Sequence, residues 1–185
     1  MNKSGRSRLS DDGEDRKPRI PGGSAFAFIL AKLGRRDHTE KELKAALTRK
    51  GYEEESAEAA LLRARNEGLV NDERLAQTMA RLAARTGKRG PLRVLATLKM
   101  KGIDRETAQA VTRQAFSGSD EAEQSLIRFA TRLLQRARGD TTKQKRDRVQ
   151  RSLLMRGFEL SQARDALRLA ENSRMTENRT HDASE

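Results

Sequence analysis

From Ser24 onward, the apolar positions recur at helical spacing rather than in the alternating pattern of strands. The first segment shows this with four apolar residues three or four positions apart, at Phe26, Ile29, Leu30 and Leu33. Similar stripes follow along the chain, separated by glycines and by residues that commonly begin helices. The pattern predicts nine helices, over about residues 25–33, 40–50, 54–66, 72–86, 91–101, 105–116, 120–137, 142–156 and 160–171.

Short polar side chains stand immediately before many of these segments, where they can accept the first free backbone N–H groups. The predicted N-caps are Ser24, Thr39, Asn71, Asp104 and Ser119. Thr39 is also followed three positions later by Glu42, which predicts a capping box. The Gly90-Pro91 pair begins a further helix, because proline is tolerated in a first turn. With aromatic residues at only 3% and few valines and isoleucines, strands are disfavoured.

An internal repeat becomes visible when the chain is aligned on Gly51, Gly102 and Gly157. A leucine lies four residues before each glycine, and a basic residue directly before it. An apolar residue and then an acid come directly after it, and alanines recur six and thirteen positions later. This pattern predicts a helix that ends at a left-handed glycine, followed by an apolar contact and an acid-led helix. The repeated residues are Leu47, Leu98, Leu153, Lys50, Lys101, Arg156, Tyr52, Ile103, Phe158, Glu53, Asp104, Glu159, Ala57, Ala108, Ala163, Ala64, Ala115 and Ala170.

Three repeats of three helices each predict an all-α fold, an elongated array in which each unit contacts mainly its neighbours. We define unit 1 as residues 24–70, unit 2 as residues 71–118 and unit 3 as residues 119–172. Residues 1–23 and 173–185 are polar, charged and poor in large apolar groups, so both are predicted to be disordered tails. We expect a monomer, because no coiled-coil heptad is present.

The composition limits the kinds of catalytic and metal site that the protein can form. The chain has no cysteine, which excludes disulfides, a cysteine-ligated metal and a cysteine nucleophile. Its two histidines, His38 and His181, do not form a metal pair, and no nucleophile, base and acid can be assembled into a catalytic set. We therefore predict a protein that is not an enzyme, with no metal and no cofactor. With no long apolar run and no signal sequence, we also expect a cytoplasmic location and no membrane partner.

The formal net charge is +12, and the excess is segregated. Residues 25–75 are neutral in sum, whereas residues 76–118 and 119–156 carry +7 and +5. Two clusters predict a surface for DNA phosphates or an acidic protein. Their members are Arg81, Arg85, Lys88, Arg89, Arg93, Lys99 and Lys101, and then Lys143, Lys145, Arg146, Arg148 and Arg151. The alternative is an ordinary solvated helix surface.

Several blocks of the sequence resemble the RecX family of regulatory proteins. The stretch from Glu67 to Ala76, EGLVNDERLA, is similar to the family pattern GLxDDxxFA. Residues 85–103 resemble the block R…GPxxIxxxLxxKGI, and residues 39–52 resemble SxxELxxxLxxKGY. The resemblance covers about residues 25–171 and is strongest in units 1 and 2.

This resemblance implies an elongated all-helical regulator of the RecA recombinase in DNA repair, homologous recombination and the SOS response. Family members bind the RecA–single-stranded DNA filament and limit its extension, ATPase and strand exchange. The expected partners are thus the RecA filament and single-stranded DNA, with double-stranded DNA as a further candidate. The two basic clusters are the predicted contact surface.

Two alternatives remain open at this point. A non-specific nucleic-acid-binding helical module would act by competing for DNA, and all its effects would scale with salt. A purely structural helical repeat would need no basic surface, so the segregated charge favours a binding function over this alternative.

Overall fold

The computed structural model describes residues 23–139 and 141–182, with side chains through residue 173. Over these residues the chain is helical, which confirms the predicted all-α fold. The helices are α1 (Ala25–Leu33), α2 (Glu40–Lys50), α3 (Glu54–Asn66), α4 (Asp72–Thr86), α5 (Pro91–Met100), α6 (Arg105–Phe116), α7 (Asp120–Arg136), α8 (Thr142–Met155) and α9 (Leu160–Asp182).

The predicted helix starts are confirmed by the capping geometry. Each of the five predicted N-cap side chains accepts a backbone N–H three residues later, which satisfies a donor that the helix leaves free. Thr39 and Glu42 form the predicted capping box, and Thr141 and Gln144 form a second one at the start of α8.

The three repeat glycines end α2, α5 and α8 in the same way. Gly51, Gly102 and Gly157 all adopt left-handed φ values, of 91°, 93° and 84°. In each unit, the apolar residue after the glycine donates its backbone N–H to the carbonyl of the repeat leucine, at 3.1 to 3.3 Å. A side chain at these φ values would be strained, so glycine is required there.

The core forms three separate clusters, one inside each group of three helices. Leu47, Leu98 and Leu153 are fully buried at equivalent positions. All six aromatic side chains of the chain belong to these clusters, either buried or packed against their edges, as the apolar pattern predicts. The cores are small and rich in alanine, which lets the helices approach closely.

The last helix is longer than predicted. The sequence pattern ends it near residue 171 and assigns residues 173–185 to a disordered tail, whereas the structure continues α9 to Asp182. Residues 172–182 contain no glycine or proline, so nothing in them breaks a helix already formed. The prediction ended the helix early because Met175 is the only apolar residue in this stretch, and a scarcity of apolar residues does not by itself end a helix. The predicted tail of residues 1–23 lies outside the described residues apart from Gly23.

The second helices of the three units lie end to end, in reverse chain order. The backbone N–H groups of Gly90 and Leu92, at the start of α5, donate to the carbonyls of Arg156 and Gly157, at the end of α8. The hydroxyl of Thr39, at the start of α2, donates to the carbonyl of Lys101, at the end of α5. We call the series α8, α5 and α2 the column. The three helices contain 11, 10 and 14 residues, which amounts to about 50 Å of helix at 1.5 Å per residue.

The two junctions along the column differ in extent. Units 2 and 3 also meet through α4 and α7, which pack side by side. Gly87 allows this approach, because a Cβ there would lie 2.3 Å from the carbonyl oxygen of Ser125. Units 1 and 2 instead meet mainly at helix ends, through Thr39, Glu42, Lys101 and Asp72. Unit 1 is therefore joined to unit 2 mainly by polar contacts, whereas units 2 and 3 are joined by helix packing as well.

Candidate functional site

The column brings together two basic clusters that lie far apart in the sequence. The second cluster lies on α8. The end of α8 meets the start of α5, and α5 carries part of the first cluster. Arg148 and Arg151 thus lie on the helix that ends at the junction, while Arg89 and Arg93 lie at the start of the helix beyond it. The junction therefore places the basic residues of α8 next to those of α5 and of the turn between α4 and α5.

Nine of the twelve predicted contact residues form no ion pair with another described residue. All nine are exposed except Lys145, which is half-buried. Arg151 donates only to the backbone carbonyl of Asp147, at 3.3 Å. Their charges are therefore available to an external polyanion. These residues are Arg81, Lys88, Arg89, Arg93, Lys99, Lys143, Lys145, Arg148 and Arg151.

The other three predicted contact residues pair with acids inside the molecule. Arg85 lies 3.5 Å from Glu121 across the α4–α7 contact. Arg146 lies 3.1 Å from Glu171 on α9. Lys101 donates to Glu42 at 2.6 Å across the junction between units 1 and 2. Lys101 thus joins two units of the protein, a role that the charge pattern did not predict.

Glu42 is the centre of this first junction. Its carboxylate accepts bonds from the backbone N–H of Thr39 and from the Lys101 ammonium group. Partial burial by itself raises the pKa of Glu42, but the hydrogen bonds from Lys101 and Thr39 outweigh that effect and leave the pKa below its usual value. The ionised carboxylate is therefore the form that the folded junction stabilises.

Two neighbours of Glu42 respond differently. Partial burial and the nearby Arg36 guanidinium lower the pKa of His38, against the attraction of Glu42. Burial raises the pKa of Asp72, although Asp72 accepts the backbone N–H of Glu40 at 3.0 Å. The junction between units 1 and 2 is thus a compact set of ionisable groups.

We expect a Glu42→Gln variant to lose about 1 kcal/mol of unfolding free energy at about pH 7. Glutamine can still accept from Thr39, so the variant removes mainly the charged bond to Lys101. Folding lowers the pKa of Glu42 from its ordinary value of 4.5. The carboxylate therefore stabilises the folded state at pH values above 4.5, and this stabilisation is lost as the pH falls through the lower pKa of the folded protein. Urea denaturation of both proteins between about pH 7 and pH 3 should therefore show the difference disappearing in acid.

Glu67→Gln is the matched control, because Glu67 pairs with Arg63 at 2.7 Å at the exposed end of α3, within one unit. That change should cost less than about 0.5 kcal/mol. A Glu42→Gln cost that stays constant down to about pH 3 would contradict the charged junction.

The charge-based prediction missed two side chains on the same helices. Met100 and Met155 are 70% and 82% exposed, and each lies two residues before a repeat glycine. The repeat alignment could have indicated that they are exposed, because the equivalent position in unit 1 is occupied by a charged residue, Arg49. Apolar residues at helical spacing are usually taken as core, so helical periodicity alone did not indicate exposed positions.

The part of the chain that the structure describes has neither a metal-binding group nor a membrane-spanning helix. Among the residues described by the structure, no group of three His, Asp or Glu side chains lies close enough to hold a metal ion. Within the same part of the chain, none of the helices combines the length and apolar character that crossing a membrane requires.

Family models match two parts of the chain. The model for the first three-helix domain of RecX matches residues 25–63, and that for the second matches residues 71–111. These ranges correspond to α1–α3 and α4–α6.

Whole-chain relatives extend the match. A regulatory protein RecX of Stenotrophomonas maltophilia is 34% identical over 159 residues, covering 84% of this chain and 91% of the relative. One from Xanthomonas axonopodis pv. citri is 36% identical over 142 residues, covering 75% and 83%.

The fold is also shared. A crystal structure of RecX from Lactobacillus salivarius superposes with a TM-score of 0.67 at 22% identity, covering 80% of this chain and 94% of that chain. A second RecX crystal structure gives 0.64 at 23% identity, covering 77% and 70%. The resemblance noted in the sequence is therefore confirmed, and this chain belongs to the RecX family of regulatory proteins.

Proposed function

We propose that this protein binds the RecA–single-stranded DNA filament in the cytoplasm as a monomer and inhibits its extension, ATPase and strand exchange. In this role it regulates DNA repair, homologous recombination and the SOS response without catalysing a reaction. The observation that supports the proposal best is that the helices carrying the two basic clusters, α8 and α5, meet end to end. A filament of protein and nucleic acid is an extended polyanion, and an extended basic surface is complementary to it.

The length of this surface is consistent with a filament as the partner. From the start of α8 to the end of α5 the column spans 24 helical residues, about 36 Å at 1.5 Å per residue. A contact of that length spans many phosphates along one strand, so its affinity depends on several weak charge contacts rather than one strong one. The neutral first unit would contribute little to such an attraction.

The alternative function is a non-specific DNA-binding module that inhibits only by competing for DNA. The same exposed basic surface supports it. We distinguish the two by measuring the single-stranded-DNA-dependent ATPase of RecA at about 150 mM salt, with this protein well below the RecA concentration. We expect the ATPase activity to fall at low molar ratios. Inhibition that appears only when the protein is abundant enough to coat the DNA would favour the competing module.

We also expect an Arg93→Gln, Arg148→Gln, Arg151→Gln triple variant to bind the filament roughly 10- to 100-fold more weakly than the wild type. On bare single-stranded DNA, losing three phosphate contacts should reduce the slope of log affinity against log salt by about 2. Glutamine retains much of each aliphatic stem, so circular dichroism should be unchanged. Fluorescence anisotropy at several salt concentrations measures both quantities.

The matched control removes the same charge from the other end of the array, as Arg35→Gln, Arg49→Gln, Lys50→Gln. These three side chains are also exposed, but they lie in unit 1, where the net charge is near zero. We expect this control to bind nearly as the wild type does. Equal losses in the two variants would show that net charge, rather than the surface along α8 and α5, controls binding.

A further inference from the structure

Met155 and Met100 are the most exposed large apolar side chains in the part of the chain whose side chains the structure describes, at 82% and 70%. A single exposed apolar residue is ordinary in a soluble protein. These two, however, occupy the same position in successive units, two residues before Gly157 and Gly102. The recurrence of a large exposed apolar group at one repeat position indicates a shared role.

Each methionine shares a helix face with arginine. Arg148 and Arg151 precede Met155 by seven and four residues, which places all three on one face of α8. Arg93 precedes Met100 by seven residues on α5, and Lys99 is adjacent to it. All of these basic side chains are exposed and form no ion pair with a described residue. The same element, an arginine followed two turns later by an exposed methionine, therefore occurs in units 2 and 3.

Unit 1 lacks this element. At the positions equivalent to Arg93 and Met100 it has Glu42 and Arg49. Glu42 is already used in the junction with Lys101. The element is thus confined to the two units that also hold the excess positive charge.

The column sets the spacing between the two methionines. Met155 ends α8, where the start of α5 joins it, and Met100 ends α5. The ten residues of α5 place the two side chains on the order of 15 Å apart along the column. Between the two positions, the same face of α5 carries the exposed side chains of Leu92, Arg93 and Ala96.

We infer that Met100 and Met155 are paired apolar anchors that insert into apolar depressions bordered by carboxylates on the protein component of the filament. This inference rests on the proposed function and identifies the part of the filament that the column contacts. A thioether offers no donor to a phosphate, whereas its flexible, polarisable chain adapts well to apolar protein surfaces. On the filament, the neighbouring arginines pair with acidic groups around each depression, whereas on bare DNA they pair with phosphates. Burying the anchors adds an attraction that salt does not screen.

The first test compares full-length wild type with a Met100→Gln, Met155→Gln variant. The two probes are RecA filaments assembled on a single-stranded oligonucleotide with a non-hydrolysable ATP analogue, and the same oligonucleotide alone. We expect filament affinity to fall about tenfold for each methionine, with the affinity for the bare oligonucleotide unchanged. Both side chains are largely in solvent, so the folded state should be unaffected.

Leu30→Gln, Leu62→Gln is the matched control. These leucines are 44% and 50% exposed in unit 1, away from the proposed anchors. The control should bind both probes as the wild type does. Equal binding of filaments by the methionine variant and the wild type would overturn the inference. Equal loss on filament and bare oligonucleotide would also overturn it, because the methionines would then contact DNA. If the wild type bound no filament, the proposed function would fail, and this inference with it.

The second test needs no substitution. Hydrogen peroxide converts exposed methionines to sulfoxides, and peptide mass spectrometry measures each rate. Met100 and Met155 should oxidise several-fold more slowly when the filament is present, whereas the half-buried Met79 serves as the internal reference. Protection of neither anchor would overturn the inference.

Discussion

Replacing Leu98 with alanine should destabilise the protein by about 2–5 kcal/mol. Leu98 is fully buried at the centre of the unit 2 cluster, and its carbonyl accepts the N–H of Ile103 in the glycine turn that ends α5. The substitution removes buried apolar atoms and leaves a cavity, because a small core of alanines and short helices has little material with which to refill it.

The loss should be measured as the free energy of unfolding from urea denaturation, followed by circular dichroism. Because a typical domain is stable by only about 5–15 kcal/mol, such a change is large. Leu82→Ala is the control, since that leucine is 60% exposed on α4 and should cost less than about 0.5 kcal/mol. A Leu98→Ala cost close to the Leu82→Ala cost would contradict the assigned core.

Gly90→Ala should be nearly as damaging, for a reason found only in the tertiary structure. Gly90 has a φ of −82°, which alanine adopts without strain. An alanine Cβ, however, would lie 2.3 Å from both the carbonyl carbon and the carbonyl oxygen of Gly157, and 2.4 Å from the N of Phe158. These are backbone atoms, so the α8–α5 junction must open. We expect a loss of about 3 kcal/mol.

Gly34→Ala provides the comparison. Gly34 has a φ of −63°, and a Cβ there would lie 3.4 Å from the nearest atom, the carbonyl oxygen of Leu30. That alanine should be neutral or stabilising by up to about 1 kcal/mol, because it restricts the unfolded chain. Thermal unfolding of the two variants beside the wild type makes the comparison. Equal melting temperatures for Gly90→Ala and Gly34→Ala would show that the junction accommodates a side chain.

Gly90→Ala should also reduce filament binding, and this links the fold to the proposed function. The junction that Gly90 closes places Arg93 beyond the end of the helix that carries Arg148 and Arg151. If the junction opens, the two basic clusters separate, and their contacts with one strand no longer add within a single rigid surface. The proposed surface therefore depends on a glycine that carries no charge.

Much of the secondary structure could be predicted because its signals are local. An N-cap such as Ser119 acts on a backbone group three residues away, and the glycine turn at Gly102 involves residues within one turn of the helix. The period of the apolar residues likewise reports which face of each helix is buried. The end of α9 was misjudged because the residues beyond position 171 are poor in apolar groups but contain no glycine or proline that would end a helix.

The candidate site was predictable only in part. Positive charge accumulates visibly in the sequence, so the basic residues of units 2 and 3 could be named. The sequence could not show which of these residues form no ion pair. Lys101 pairs with Glu42, and Arg146 with Glu171, only through contacts between helices. Exposure of Met100 and Met155 was missed for the related reason that a helical pattern does not distinguish a core residue from an anchor at the helix end.

By itself, then, the sequence determined the helices, their caps, the apolar faces and the three-fold repeat, because each depends on residues within a few turns of one another. It also determined the segregation of positive charge, which follows from the order of the residues along the chain. Only the tertiary structure decided that α8, α5 and α2 lie end to end, since that order depends on close contacts between distant backbones at Gly90 and Gly157 and between Thr39 and Lys101. No local propensity encodes such contacts, because their free energy comes from surfaces that meet only after each unit has folded.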